Sequence, residues 1–257
     1  SEDVIARIPF SVPKAPEELT RDRDLAMGSV PLTFDFVAPA ADTMAARLGG
    51  FFGRLDAAAA AGDRQGVEAI LRGSSLVATP NQVDALLDGP TRRLLLRTAL
   101  AAATEVMPRG VLDAGQALNI TTPFVTVRSG DTERSVASED VITQREFFEA
   151  ALGLLPPSTA PDVANLLRLV LIRHIEFSYV LDVVATEMDR DAAARSVPTT
   201  KDSVLEGQAI VRAADPVSAT DLERLQAYEE QLRAQGLLEG RGPSLAPLVG
   251  AWVVKVI

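Results

Sequence analysis

The chain has 257 residues, of which 47% are hydrophobic, so it can bury a core in one large domain or in two lobes. Its formal net charge of −10 argues against nucleic-acid binding, because an acidic surface repels phosphate backbones. There is no cysteine, which excludes disulfides, thiolate metal sites and cysteine nucleophiles, and the single histidine, His174, excludes a metal site built from several histidines.

The first forty residues predict two short strands separated by a helix. Residues 4–12 are apolar and interrupted by Pro9, as is typical of an edge strand. Residues 16–27 predict a short helix, and residues 30–36 alternate apolar and polar side chains, which predicts another strand.

Residues 41–118 predict a helical middle. We expect Asp42 or Thr43 to cap a first helix that runs to about residue 61, and a second helix covers residues 64–71. Thr79 is the expected N-cap of a third helix, with Pro80 in its first turn, and Pro90 opens a fourth.

The second half of the chain predicts a β-hairpin at 119–137 and helices between 143 and 195, at 143–155 and 160–195. A strand at 203–212 and a helix at 219–235 follow, which together make a C-terminal strand and helix within 203–236. We expect Thr220 to cap the last helix, with Glu223 completing a capping box, and Gly236 to end it. The predicted class is α+β, mostly α-helical, with a small sheet formed by the N-terminal, middle-hairpin and C-terminal strands.

Residues 23–33 resemble residues 190–200. Both stretches run through Val-Pro, and proline disfavours helical geometry in the residue before it, so a helix must end before each one. The similarity predicts that residues 30–36 and 204–211 share one sheet. The alternative is a chance similarity in a sequence rich in alanine and arginine.

The last residues, 248–257, are almost entirely apolar. We expect residues 240–257 to be a juxtamembrane segment and the start of a transmembrane helix, with Trp252 near the membrane interface. The alternative is a final buried strand.

No group of side chains predicts catalysis, a cofactor or a bound metal. His174 is either a pH-sensitive switch or, more simply, a hydrogen-bonded helix histidine. Gly207 is explained by a turn or a β-bulge. Four acidic residues near the hairpin have the chemistry of an acid–base pair or a Ca²⁺ site, but a solvated turn explains them better. They are Asp131, Glu133, Glu139 and Asp140.

Two regions carry a family resemblance. The first consists of Asp3 to Phe10, Val12-Pro13-Lys14, Glu17-Glu18, Arg23, Ala26 and Val30-Pro31. The second consists of Arg173, Asp182, Thr186, Arg190, Ala194, Val197-Pro198, Val204 to Arg212, Val217-Ser218, Leu225 and Gly236 to Leu238. Together they resemble the extracellular domain of bacterial seven-transmembrane proteins that carry a cytoplasmic HD-type phosphohydrolase, a family whose members are cyclic-di-AMP phosphodiesterases. Near His174 the family usually has Pro-Asn, whereas this chain has His174-Ile175-Glu176-Phe177.

The resemblance implies that residues 1–239 form a non-catalytic sensor domain on the extracytoplasmic side of the bacterial cytoplasmic membrane. One helix before Ser1 and a seven-helix bundle after Ile257 would anchor it. Divalent metal is expected only in the cytoplasmic HD domain, and no cofactor is expected in this chain. The implied partners are a small ligand or an envelope component, the protein's own transmembrane bundle and a second copy in a homodimer, with no nucleic acid.

Two other functions are consistent with the sequence. One is a structural module that dimerises or docks a protein partner without a small ligand. The other is a free-standing hydrolase that uses carboxylates, for which clustered acids in a deep cleft would be required.

Overall fold

A computed structural model describes residues 3–213 and 215–237. These residues form ten α-helices: α1 (Pro16–Gly28), α2 (Ala40–Ala60), α3 (Arg64–Gly73), α4 (Pro80–Leu87), α5 (Gly89–Glu105), α6 (Ala114–Ala117), α7 (Gln144–Gly153), α8 (Pro161–His174), α9 (Val183–Ser196) and α10 (Ala219–Ala234). They also form ten strands: β1 (Val4–Ile5), β2 (Phe10–Pro13), β3 (Thr33–Phe36), β4 (Val111–Leu112), β5 (Phe124–Ser129), β6 (Thr132–Ala137), β7 (Ile142–Thr143), β8 (Tyr179–Leu181), β9 (Thr200–Val204) and β10 (Ala209–Val211). The predicted class, α+β and mostly helical, is confirmed.

The chain divides into two compact units. The terminal unit combines Ser1–Met27 with Asp191–Ile257, and the inserted unit is Gly28–Arg190. The chain therefore leaves the terminal unit at the end of α1 and returns to it within α9.

In the terminal unit, the first two strands pair antiparallel with the last two, β1 with β10 and β2 with β9. Strand β2 alternates buried and exposed residues, so Phe10 and Val12 point into the core. The ring of Phe10 packs against Tyr228 of α10, with centroids 5.1 Å apart, and the Tyr228 hydroxyl accepts a hydrogen bond from the N–H of Arg7 at 2.8 Å. Helix α10 thus closes the core over the two strand pairs.

The sheet of the inserted unit has the strand order β6-β5-β3-β8. Strand β3 lies between β5, to which it is parallel, and β8, to which it is antiparallel. The β5–β6 hairpin extends the sheet, with Arg128 opposite Glu133. Phe34, Val127 and Tyr179 are fully buried and form the centre of the core on this sheet.

Helix α2 forms the centre of the helical core of the inserted unit. Its apolar residues recur every three to four positions, which places them on one helix face. Met44, Leu48, Phe51, Phe52 and Leu55 are all fully buried. Helices α3, α4, α5 and α8 pack around this face of α2.

The segment between α8 and β8 ties the helices to the sheet. Ser178 is buried, and its hydroxyl donates to the carbonyl oxygen of Met107 and accepts from the N–H of Val111, both at 2.8 Å. The hydroxyl of the next residue, Tyr179, accepts from the guanidinium of Arg134 at 2.9 Å. These bonds pair buried polar groups, so the segment is held to residues 107–111 by Ser178 and to β6 by Tyr179.

Several predicted elements are confirmed. Helices α2 and α3 lie within a few residues of their predicted bounds, α4 and α5 begin beside the prolines predicted to open them, and the β5–β6 hairpin lies within 119–137. Thr79 caps α4 in a full capping box with Gln82. Helix α1 ends at Gly28 and α9 at Ser196, in each case before Val-Pro.

Several local predictions are wrong. Residues 4–12 are not one strand, because β1 and β2 are separate and pair with different partners, β10 and β9. Asp42 and Thr43 do not cap the first long helix: they lie inside α2, which begins at Ala40 without a side-chain cap. Residues 160–195 are not one helix, because β8 separates α8 from α9 and buries Tyr179 against β3. Residues 203–212 are two strands, because Gly207 adopts a φ of +85° in a turn between them. The N-cap of α10 is Ser218 rather than Thr220, and its capping box is completed by Asp221 rather than Glu223.

The predicted sheet containing both 30–36 and 204–211 is also wrong. Strand β3 pairs with β5 and β8, whereas β9 and β10 pair with β2 and β1, so the strands form separate small sheets. The predicted juxtamembrane segment 240–257 lies outside the described residues. None of the helices in the described part of the chain combines the length and the apolar character needed to cross a bilayer.

Candidate ligand groove

A groove of about 590 Å³ lies on the inserted unit, between α2, the end of α3 and the last turn of α8. Its lining residues are of two kinds, cationic or small, apart from the imidazole. They are Ala46, Arg47, Gly50, Arg54, Gly73, Ser74, Arg173 and His174. The lining therefore carries three guanidinium groups and no carboxylate, in a chain whose net charge is −10.

The α2 side of the groove is shaped by helical spacing. Arg47, Gly50 and Arg54 are three and four residues apart, so they share one face of α2, beside the face that carries its buried side chains. A glycine in a helix interior costs about 1 kcal/mol relative to alanine. Nothing but the Arg54 guanidinium lies within 4 Å of a Cβ placed on Gly50, and its φ is not positive. Neither packing nor backbone geometry therefore requires this glycine, which leaves the floor of the groove open.

The three arginines are held differently. Arg47 forms an ion pair with Glu176, in the segment after α8. The Nε of Arg173 donates to the carbonyl oxygen of Ser74 at 2.8 Å, which joins α8 to the end of α3. Arg54 is exposed, and within residues 3–213 and 215–237 its guanidinium makes no hydrogen bond or ion pair. Arg54 thus offers an uncompensated guanidinium at the groove.

His174 is buried at the end of α8, with its ring centroid 5.0 Å from that of Phe51. Its Nδ1 lies 2.9 Å from the carbonyl oxygen of Val170. Since a carbonyl can only accept, Nδ1 carries the proton and a neutral ring has its lone pair on Nε2. Burial lowers the pKa of His174, and the nearby charges of Arg173, Arg47 and Arg54 lower it further. The imidazole is therefore neutral at pH 7, and its pKa depends on the charges that line the groove.

The other residues singled out in the sequence have structural roles. Gly207 forms its turn, and its N–H donates to the carbonyl oxygen of Ala6 at 2.8 Å. The four acidic residues near the hairpin, Asp131, Glu133, Glu139 and Asp140, are exposed. In the described part of the chain, no three histidine, aspartate or glutamate side chains are grouped so as to hold a metal ion.

A second groove of the inserted unit, about 350 Å³, lies between α3 and α4. Its lining carries two cations, Arg64 and Arg72, and the carboxylate of Glu68. Arg64 is paired with Asp84 and with Glu68, and the Nε of Arg72 donates to the backbone carbonyl oxygen of Glu68 at 3.4 Å. These carboxylates raise the pKa of Arg64, which stays protonated, and their negative charges offset its positive charge. This groove therefore has a carboxylate in its lining, which the groove at Arg54 does not.

The fold and the groove define a two-unit α+β domain with a cationic ligand-sized groove. The chain belongs to the 7TM-HD extracellular family, because the model of that family matches residues 1–230. The chain is thus the extracellular domain of a seven-transmembrane HD protein and lies outside the cytoplasm as part of a membrane protein. No curated protein and no solved structure matches the chain.

Sequence reasoning named no binding residues, and it missed Arg47 and Arg54. A signal was present: two arginines seven residues apart flank a glycine on the polar face of a strongly predicted helix. By contrast, two of the residues that carry the family resemblance, Asp182 and Thr186, hold the fold together. Asp182 accepts from the N–H of Ala185 at the start of α9, and the hydroxyl of Thr186 accepts from the N–H of Thr33 at 3.0 Å.

Proposed function

We propose that this chain is a non-catalytic sensor domain, which binds a ligand or envelope component and regulates a membrane-bound HD-type phosphohydrolase acting on cyclic dinucleotides. The observation that carries the proposal is the cationic groove in a domain whose family places it outside the membrane. The divalent metal and the hydrolytic chemistry belong, in this proposal, to the cytoplasmic HD domain.

A route for the signal begins at Glu176, which pairs with Arg47 of the groove lining. Two residues later, Ser178 is bonded to Met107 and Val111. A ligand that competes for Arg47 releases Glu176 and alters the segment that joins α8 to the sheet. Binding shifts the hydrolase only if the ligand has different affinities for the two states of the domain.

The test uses the full-length protein in nanodiscs and measures hydrolysis of cyclic-di-AMP. We expect deletion of residues 1–239 to change the basal rate and to abolish the response to soluble envelope extract. A Glu176→Gln variant, which loses the ion pair but keeps the domain, is expected to shift the basal rate in the same direction as the extract does. If deletion leaves both the rate and the response unchanged, the sensing role is rejected.

A second candidate function is a dimerisation module. Strand β8 lies at the edge of the sheet, and Val180 on it is exposed, as are Val183, Val184 and Met188 nearby in sequence. An exposed edge strand beside apolar side chains favours pairing with the same strand of a second copy. Sedimentation equilibrium distinguishes the two functions: a dimer that dissociates in Val184→Lys but not in Val77→Lys, at a similarly exposed valine, favours this module.

A further inference from the structure

We propose that the groove binds a small ligand through oxyanion groups, carboxylate or phosphate, which Arg54 and Arg173 contact directly while Arg47 exchanges Glu176 for the ligand. The proposal rests on the proposed sensor function and names the class of its ligand.

Charge supports this assignment first. Guanidinium groups bind carboxylate and phosphate through paired hydrogen bonds, which are stronger than those between neutral groups. Arg54 has no anionic partner in the described part of the chain, and Arg173 uses only its Nε, toward Ser74. Even with Glu176 bound to Arg47, the charged groups at the groove retain an excess of positive charge.

Shape supports it second. Arg47 and Arg54 are separated by about 10 Å along α2, at 1.5 Å per residue. Gly50 lies between them and Gly73 lies at the end of α3, and neither has a side chain that would fill the space. Because arginine side chains are long and have many rotamers, both guanidinium groups can reach a ligand that carries two anionic groups and lies across the helix backbone between them.

His174 supplies a third observation, because its imidazole lies in the lining beside the same three arginines. The positive charges of Arg173, Arg47 and Arg54 act on this ring, so an anion that offsets them favours the protonated form. Glu176 forms an ion pair with Arg47 and so offsets part of this positive charge. Anion binding is therefore coupled to proton uptake at His174.

The first experiment is calorimetric titration of the 257-residue chain at low salt with succinate, inorganic phosphate and, as a neutral control, succinamide. We expect binding of at least one of the two anions and none of succinamide. Arg54→Gln is expected to weaken binding about tenfold, since one charge-assisted hydrogen-bonding group is lost. Arg145→Gln, an equal change of charge at a 77% exposed site on α7, is the matched control and is expected to bind as the wild type does.

A second pair of variants tests the shape without changing the charge. Gly50→Leu fills the floor of the groove, and a Cβ there meets only the Arg54 guanidinium at 3.9 Å. Gly53→Leu adds the same side chain to the same helix at a position with open space, outside the groove lining. We expect Gly50→Leu to abolish anion binding and Gly53→Leu to retain it, with equal thermal stability.

A third readout uses the single histidine, whose imidazole resonance is unambiguous in a proton NMR titration. The bound anion is expected to raise the pKa of His174, and Arg54→Gln to reduce that shift.

Phosphatidylglycerol and phosphatidylcholine vesicles distinguish a lipid source from a free ligand. Binding of anionic vesicles alone, with no binding of succinate or phosphate, overturns the proposal, as does equal loss of binding in Arg54→Gln and Arg145→Gln.

The two proposals fail separately. If domain deletion alters cyclic-di-AMP hydrolysis but the groove binds no anion, the ligand assignment is wrong and the sensor function stands. If succinate or phosphate binds as expected but the rate of hydrolysis in nanodiscs changes with neither the ligand nor the deletion, the groove is an anion site and the sensor function is wrong.

Discussion

Replacement of Gly110 by alanine tests the junction between the helices and the sheet of the inserted unit. Gly110 has a φ of +100° and lies just before β4. A Cβ at this position overlaps the ring of Tyr179 and lies 2.7 Å from its hydroxyl oxygen. Tyr179 is fully buried between Phe34 and Phe36, so it has no free space into which to move.

Two costs add in Gly110→Ala. Holding a residue with a side chain at positive φ costs about 1–2 kcal/mol. Overpacking a filled core costs about 1–3 kcal/mol more. We therefore expect the free energy of unfolding to fall by about 2–5 kcal/mol, with little change in the denaturant dependence.

The assay is urea denaturation followed by circular dichroism, with Gly130→Ala as the control. Gly130 has a φ of +58° in the β5–β6 turn, and no atom lies within 4 Å of its added Cβ. Gly130→Ala therefore carries only the backbone cost, about 1 kcal/mol. Equal losses of stability in the two variants would refute the argument that Tyr179 blocks the position.

Three further changes have defined outcomes. Burial and the neighbouring arginines lower the pKa of His174 in the folded protein, so acidification protonates the unfolded chain first. The free energy of unfolding therefore falls as the pH drops below about 6.5. Urea titrations between pH 8 and pH 5 should show this slope in the wild type and a flatter one in His174→Gln. Hydrogen bonds from the Ala185 N–H and from Arg128 lower the pKa of Asp182 in the folded protein. The Asp182 carboxylate therefore stabilises the fold above about pH 4, and this contribution is lost as the pH falls further. Asp182→Asn should weaken the acid dependence seen in thermal melts below pH 4. Thr143→Ala removes the hydroxyl that caps α7 and should lower stability by about 1 kcal/mol, whereas Thr143→Ser keeps the capping oxygen and should cost much less in the same denaturation assay.

The elements that the sequence predicted well are those fixed by local chemistry. Thr79 and Pro80 begin α4 because a side-chain oxygen and a preset φ suffice to start a helix. Gly236 follows the end of α10 with a φ of +69°, as expected of a helix-ending glycine.

The elements that were missed depend on partners distant in sequence. Strand β8 has three residues between two helices, and it forms because Tyr179 pairs opposite Phe36 and is buried. Strands β9 and β10 pair with strands from the beginning of the chain. Periodicity within a window reports none of these pairings, because it contains no information on which strand lies alongside.

The groove could be predicted only in part. The spacing of Arg47 and Arg54 is legible once α2 is recognised as a helix. Arg173 and Ser74 join them only through the packing of α8 and α3 around α2, which no local pattern specifies. Charge on one helix face is therefore predictable, whereas its convergence into a binding groove requires the tertiary structure.

The pairing of the first strands with the last constrains the order in which the molecule is built. Phe10 finds Val204 only after almost all of the described chain has been synthesised, and closing so long a loop carries a large entropic cost. The inserted unit is one continuous stretch, Gly28–Arg190, and meets no such delay. We therefore expect the groove-bearing unit to fold first, and β1 and β2 to remain unpaired until the distant β10 and β9 become available.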